Sequence, residues 1–320
     1  MRRSQGGGMT PFEIHGHRGV PSLMPENTLA GFELAIALGA TALELDVTLS
    51  ADGVVIVSHE PIADPNLYRQ RPGADARSAR QSRTVLGRPW SSLRMEQVAT
   101  LDAGAPVWLG RETDPFRKTR RAVDGARVPT LDAVFRLARR LGARHLRFEI
   151  EAKRDPTSGH PIPGPLALAR AIATVVRRHR MTSRSRLRCF DWSVLVAARR
   201  VAPELATVAL VRVDTASRGS AWLSSAAVGR ARWASSVTAA ARGIGAVAVA
   251  PEHAVVDAEL MAGSVRVGLA VLPWTVNSLE RAGELIALGV SGLTTDRPGV
   301  LRDFIATTAE APQRSPGSRR

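Results

Sequence analysis

Two histidines, His17 and His59, one arginine, Arg18, and two carboxylates, Glu44 and Asp46, fall within the short stretch 15–61. Side chains two residues apart on a strand point the same way, so Glu44 and Asp46 can face one point in space. Two carboxylates aimed together repel unless a cation or a proton lies between them. That is a reason to look for a metal. An imidazole can give or take a proton near neutral pH, and two of them beside paired carboxylates suit general acid and general base work.

The elements that must position these residues alternate between strand-like and helix-like patterns, which argues for a parallel α/β architecture. A strand is expected at 12–17, a helix at 27–38 and strands at 43–49 and 54–58. A long irregular segment follows, about 61–127, rich in Arg, Pro, Gly and Ser and broken by a helix near 95–101. Such a length marks a functional loop or a small subdomain. Thr130 is an N-cap candidate for a helix to Leu141. Strands are then expected at 145–152, 186–190, 207–213, 246–250, 268–273 and 292–295, with helices at 165–179, 193–201 and 279–288 and a partly helical 217–242. About eight strands linked by helices predict an α/β fold of the closed (β/α)₈ TIM-barrel type. The barrel should occupy 11–302, between tails at 1–10 and 303–320 expected to be disordered. In such a barrel reactive groups lie where strands end. His17, Arg18, Glu44, Asp46, His59, Glu151, Lys153, Trp274 and Asp296 all fall there.

Composition narrows the class. With 320 residues, 44% hydrophobic and 23% charged, the chain can bury a large core. No apolar run reaches the length of a membrane helix, and the first ten residues lack the apolar centre of a secretory signal. Cys189 is the only cysteine, which excludes an internal disulfide and cysteine-based metal sites. These features together lead us to expect the cytoplasm. The net charge of +15 invites a nucleic-acid partner, but all except two of the 44 basic residues are arginines scattered along the chain. Aromatics at 4% leave few platforms for base stacking. A small-molecule partner is therefore expected, with no nucleic acid and no stable membrane insertion.

The residues His17-Arg18-Gly19, Pro25-Glu26-Asn27-Thr28, Glu44-Leu45-Asp46-Val47, Ser50-Ala51-Asp52-Gly53 and His59 occur in an order and spacing that resembles the glycerophosphodiester phosphodiesterase family. The likeness continues through Pro129-Thr130-Leu131, Glu151-Ala152-Lys153, Phe190-Asp191-Trp192, Trp274-Thr275-Val276-Asn277 and Thr295-Asp296-Arg297-Pro298, nearly the whole chain. The resemblance implies a (β/α)₈ barrel in which 61–127 is the family's insertion, and a metal-dependent hydrolysis of glycerophosphodiesters to glycerol 3-phosphate and an alcohol. It also implies roles. Glu44, Asp46 and Glu151 would hold one divalent metal, Mg²⁺ or Ca²⁺, because oxygen-only ligands suit hard cations. Arg18 and Lys153 would contact phosphate. His17 and His59 would be the acid and the base. Trp274, Glu26 and Asn277 would meet the substrate, with Asn27 either lining the site or capping the helix that follows.

Glu149 departs from the family's usual asparagine and adds a carboxylate two residues before Glu151, expected to act on the metal or on Arg18. Glu60 stands where aspartate is common, and Cys189 where serine is. One rival within the superfamily is a lysophospholipase D-type activity on lysophospholipids, with Leu67, Tyr68, Val85, Leu86 and Trp90 of the insertion as an apolar surface at the mouth. A rival of another class is a non-catalytic polyanion- or phosphate-binding protein using the +15 charge. A glycosidase with paired carboxylates would leave His17, Arg18 and Lys153 unexplained.

Overall fold

The computed structural model describes residues 12–73, 84–215, 221–223 and 233–310. The strands are β1 (Glu13–Gly16), β2 (Ala42–Leu49), β3 (Val55–Val57), β4 (Arg69–Gln70), β5 (Leu101–Asp102), β6 (Arg147–Ala152), β7 (Ser185–Cys189), β8 (Ala206–Val211), β9 (Ala248–Pro251), β10 (Ala270–Val271) and β11 (Gly292–Thr295). Eight of them run parallel in the order β10-β9-β8-β7-β6-β2-β1-β11, and β3 joins antiparallel to β2. The ring is closed further by backbone bonds from Ser291 N to Val271 O and from Thr294 N to Pro273 O, both 2.9 Å. The expected (β/α)₈ barrel is what forms.

The strand sequences explain the layering. In β2 every residue is buried. Leu43, Leu45 and Val47 alternate with Glu44, Asp46 and Thr48, so one face joins the main apolar core and the other carries polar groups. Helices cover the outside. Leu131–Arg140 starts at Thr130, whose side chain accepts from Ala133 N, as its sequence predicted. Asp191, Asp257 and Ser278 cap the helices Trp192–Val201, Ala258–Val267 and Leu279–Ala287 in the same way. The first helix, Leu29–Ala37, is capped by Thr28 and not by Asn27.

Two further expectations change, and the small subdomain allowed for 61–127 takes shape. The helix Ala258–Val267 lies where only a connection was expected. The helix Pro298–Glu310 continues through 303–310, which had been assigned to a disordered tail. Phe304 and Ile305 explain it, because both pack against the barrel core. The segment 61–127 is not merely irregular. It builds a second core in which Tyr68, Val85, Trp90, Leu93, Val98 and Leu101 are buried together with Ile56 of β3, over the small β4–β5 ribbon. The tails at 1–10 and 311–320, and most of 217–232, lie outside the described residues. Among the described residues no helix is long and apolar enough to cross a membrane.

Candidate active site

The turn after β1 sets the site. Arg18 and Asn27 both adopt left-handed backbone, with φ of 49° and 54°. Between them Gly19 has φ 95°, and a side chain there would press on the Gly31 backbone. The tight path lets Arg18 O accept from Asn27 N at 2.9 Å. It also places the Arg18 amide 3.0 Å from Glu44 Oε2, so backbone and side chain of Arg18 both reach the carboxylates of β2.

Glu44, Asp46 and Glu151 converge. One oxygen from each lies within 4.8 Å of the others, and all three residues are buried. Adjacent strands make this possible, because Asp46 and Glu151 are register partners on β2 and β6. Burial, with Asp46 beside it, pushes the Glu44 carboxyl up to about 7. Asp46 goes the other way: burial alone would raise it, but Arg18, Lys153 and His59 outweigh that and hold it far below the usual range. Asn27 Nδ2 donates to Asp46 Oδ2 at 2.9 Å. Lys153 Nζ lies 2.6 Å from Glu151 Oε1 and 3.6 Å from Asp46 Oδ1.

Each histidine is held by a carboxylate. His17 Nδ1 lies 2.7 Å from Asp296 Oδ1, and His59 Nδ1 lies 2.7 Å from Glu60 Oε1. A carboxylate on Nδ1 assigns the proton there and leaves Nε2 for chemistry. Burial and the Arg18 charge disfavour the His17 imidazolium, yet the Asp296 bond and the charges of Glu44 and Asp296 prevail, so His17 titrates above its ordinary value. Asp296 is depressed, because its bond to His17 overcomes its burial. Glu60, in the place of the family's aspartate, still reaches its histidine.

His17, Arg18, Glu44, His59, Glu151 and Lys153 line one cavity of about 610 Å³. Trp274 forms part of its wall, with its indole N–H on Ala250 O at 2.9 Å and its ring edge-to-face with Phe190 at 5.5 Å. Glu26 and Asn277 do not line this cavity. Glu26 accepts from Arg18 Nη1 at 2.9 Å, and Asn277 Nδ2 donates to Asp296 Oδ2 at 2.6 Å. Both hold residues of the site in place. Glu149 joins neither Arg18 nor the convergent trio. It lies deeper, bonded to Arg186. His15 is also deeper, 2.9 Å from Glu13. The insertion residues Tyr68, Val85 and Trp90 face their own core and supply no apolar surface at the mouth.

One side chain of the site was named in the sequence without a role, and another escaped it. Glu60 is adjacent to His59, and that adjacency was a usable signal. Arg188 lines the cavity, though it sits among many arginines whose partners no local pattern reveals.

Comparison with known proteins bears on the family and the fold. A sequence profile described as the Glycerophosphoryl diester phosphodiesterase family matches residues 17–300. The glycerophosphodiester phosphodiesterase of Caldanaerobacter subterraneus subsp. tengcongensis is 26% identical over 291 residues, spanning 90% of this chain and 96% of that protein. The crystal structure of a protein of this family from Silicibacter pomeroyi DSS-3 superposes with a TM-score of 0.76 at 28% identity, over 95% of this chain and 96% of that one. An Oleispira antarctica phosphodiesterase, solved with the product sn-glycerol-3-phosphate, shares the fold with a TM-score of 0.66 at 19% identity, over 92% of this chain and 96% of that one.

Proposed function

This chain belongs to the glycerophosphoryl diester phosphodiesterase family and is an enzyme of that class, and on that premise we propose how its residues divide the work. The substrate is a glycerophosphodiester, and the products are glycerol 3-phosphate and an alcohol such as choline or ethanolamine. The observation that carries the reading is the meeting of Glu44, Asp46 and Glu151 in the same cavity as His17 and His59.

The three carboxylates fit one hard divalent ion, Mg²⁺ or Ca²⁺. The cluster offers carboxylate oxygens, and burial with Asp46 beside it raises the Glu44 carboxyl, which supports a cation at this point. Bound there, the ion supplies Lewis-acid polarisation and offsets charge on phosphoryl oxygens. Arg18 and Lys153 add the remaining positive charge that a phosphodiester needs. Arg18 can meet two oxygens at once, held at that angle by Glu26, while Lys153 acts as a point charge.

The histidines move protons. The neighbouring glycerol hydroxyl attacks phosphorus, and one imidazole Nε2 takes its proton. The other imidazole, protonated, delivers a proton to the departing alcohol oxygen. Water then opens the cyclic phosphate by the reverse assignment, which returns both histidines to their starting states. Asp296 and Glu60 hold the two rings and stabilise each imidazolium as it forms. Trp274 walls the organic part of the substrate.

A coupled assay for glycerol 3-phosphate, run with glycerophosphocholine and glycerophosphoethanolamine, tests the reading. Release from either substrate is the expected result. Absence of release with both, with Mg²⁺ and Ca²⁺ each supplied, would refute it.

A further inference from the structure

Arg188 has no part in the reaction just described, yet its position is unusual. Register pairs Asp46 with Glu151 and Glu151 with Arg188, so the three are neighbours across β2, β6 and β7. The side chain lies inside the barrel at 1% exposure and borders the catalytic cavity. Its nearest acid is Glu149, whose Oε2 is 4.0 Å from Nη1, beyond hydrogen-bond reach. Arg186 engages Glu149 through Oε1 and also binds Glu13, while Glu149 Oε2 has no hydrogen-bond partner among the described residues. Among the described residues, neither Nε nor Nη1 of Arg188 has a hydrogen-bond partner.

A buried guanidinium with idle donors is costly, and native interiors keep such groups where an acceptor completes them. Glu149 Oε2 at 4.0 Å completes neither donor, so an acceptor that does has to arrive through the cavity that Arg188 borders. The donors are cationic, so oxygens that carry negative charge suit them best. Its register with Glu151 puts Arg188 beside the carboxylates that line the cavity.

We propose that Arg188 is a third cationic binding residue, which donates from Nε and Nη1 to oxygens of the glycerophosphoryl half of the substrate. The inference rests on the proposed function. It adds a contact that serves every head group alike, because every such substrate and the common product share that half.

The first experiment is calorimetric titration of the metal-loaded enzyme with sn-glycerol 3-phosphate, for the unmodified chain and for Arg188→Gln and Arg188→Lys. Loss of a charged hydrogen bond predicts binding weaker by about 10- to 100-fold in Arg188→Gln. Arg188→Lys should recover part of it. KM for glycerophosphocholine and glycerophosphoethanolamine should rise by the same factor, with Mg²⁺ affinity changed less than about twofold. Product binding in Arg188→Gln within twofold of the unmodified enzyme overturns the proposal, since a residue that only balances Glu149 would alter stability and leave binding alone.

A co-crystal of the unmodified enzyme with glycerol 3-phosphate answers the question even if the variants do not fold. Arg188 Nε or Nη1 within hydrogen-bond distance of a product oxygen supports the assignment, and separations above about 4 Å from every product oxygen defeat it. No binding of glycerol 3-phosphate to the unmodified enzyme would instead remove the proposed function, and this inference with it. Binding without an Arg188 contact removes this inference alone.

Discussion

Two acidic clusters lie inside this barrel, and both draw on β6, where Glu151 of one is two residues nearer the C-terminal end of the strand than Glu149 of the other. The upper one is Glu44, Asp46 and Glu151, and the lower one is Glu13, His15 and Glu149. Both are buried, and in both, side chains two residues apart share a strand face. They differ in the cations that neighbouring strands provide. Arg186 reaches Glu13 and Glu149 together, and Arg147 Nε is 3.4 Å from Glu13. His15 and Arg186 overcome the cost of burial and hold Glu13 at about 2. The lower cluster is thus ion-paired through Arg186, with Glu149 Oε2 left without a hydrogen-bond partner among the described residues. In the upper cluster Arg18 and Lys153 satisfy Asp46, while Glu44 rises to about 7. Similar acidic groups therefore form an ion-paired cluster in one place and the proposed metal site in the other. The partner charges decide which.

The sharpest way to separate the two rings is to remove one member of each. His17→Ala or His59→Ala, at the upper ring, should lower turnover by roughly two or more orders of magnitude while the denaturation midpoint stays near that of the unmodified chain. Near-normal turnover in either variant would contradict the proton-transfer roles. Arg186→Met, at the lower ring, should behave in the opposite way. It strands Glu13 and Glu149 without their shared cation, and about 3–5 kcal/mol of stability should be lost in chemical denaturation. Turnover per folded molecule should persist. A stable but inactive Arg186→Met would mean that the lower cluster belongs to the active site after all.

Much of the upper ring was legible in the sequence. The two-residue spacing of Glu44 and Asp46 placed both on one strand face, and the strand expected at 145–152 put Glu151 and Lys153 at its end. What could not be read were partners set by the fold. Asp296 binds His17 across 279 positions of chain, and no local pattern announces that pairing. The depth of Glu149 was misjudged because period-two alternation gives the face of a strand and not the ring on which a side chain finds its cation. Asn27 looked like a cap, yet its left-handed backbone turns its side chain to Asp46 and leaves Thr28 to begin the helix. Tyr68 and Trp90 were assigned to a surface. Their edge-to-face packing at 5.1 Å, with both polar tips on Ser58 Oγ, is a tertiary fact.

A third variant tests the sign of the comparison. Glu44→Gln removes one of three mutually repelling carboxylates, so the chelator-treated protein should gain on the order of 1–3 kcal/mol at pH 8. A loss of stability there would show that the upper ring is already balanced without a cation. The pH dependence follows from the same group. A carboxyl whose folded pKa is raised keeps its proton in the folded state. The stability it contributes is present below the ordinary value of 4.5 and is lost as pH climbs from there to about 7. A divalent ion must displace that proton. Its affinity should therefore increase by about tenfold per pH unit below 7 and level off above. A flat profile from pH 5 to 8 would place the ion away from Glu44.

The most direct measurement is calorimetric titration of chelator-stripped protein with Mg²⁺ and with Ca²⁺, for the unmodified chain, Glu44→Gln and Glu149→Gln. The account predicts one ion per chain, abolished or greatly weakened by Glu44→Gln and retained in folded Glu149→Gln, with glycerol 3-phosphate release restored by the same ion. An affinity indifferent to Glu44→Gln, or one lost only with Glu149→Gln, would contradict the assignment of the metal to the upper ring.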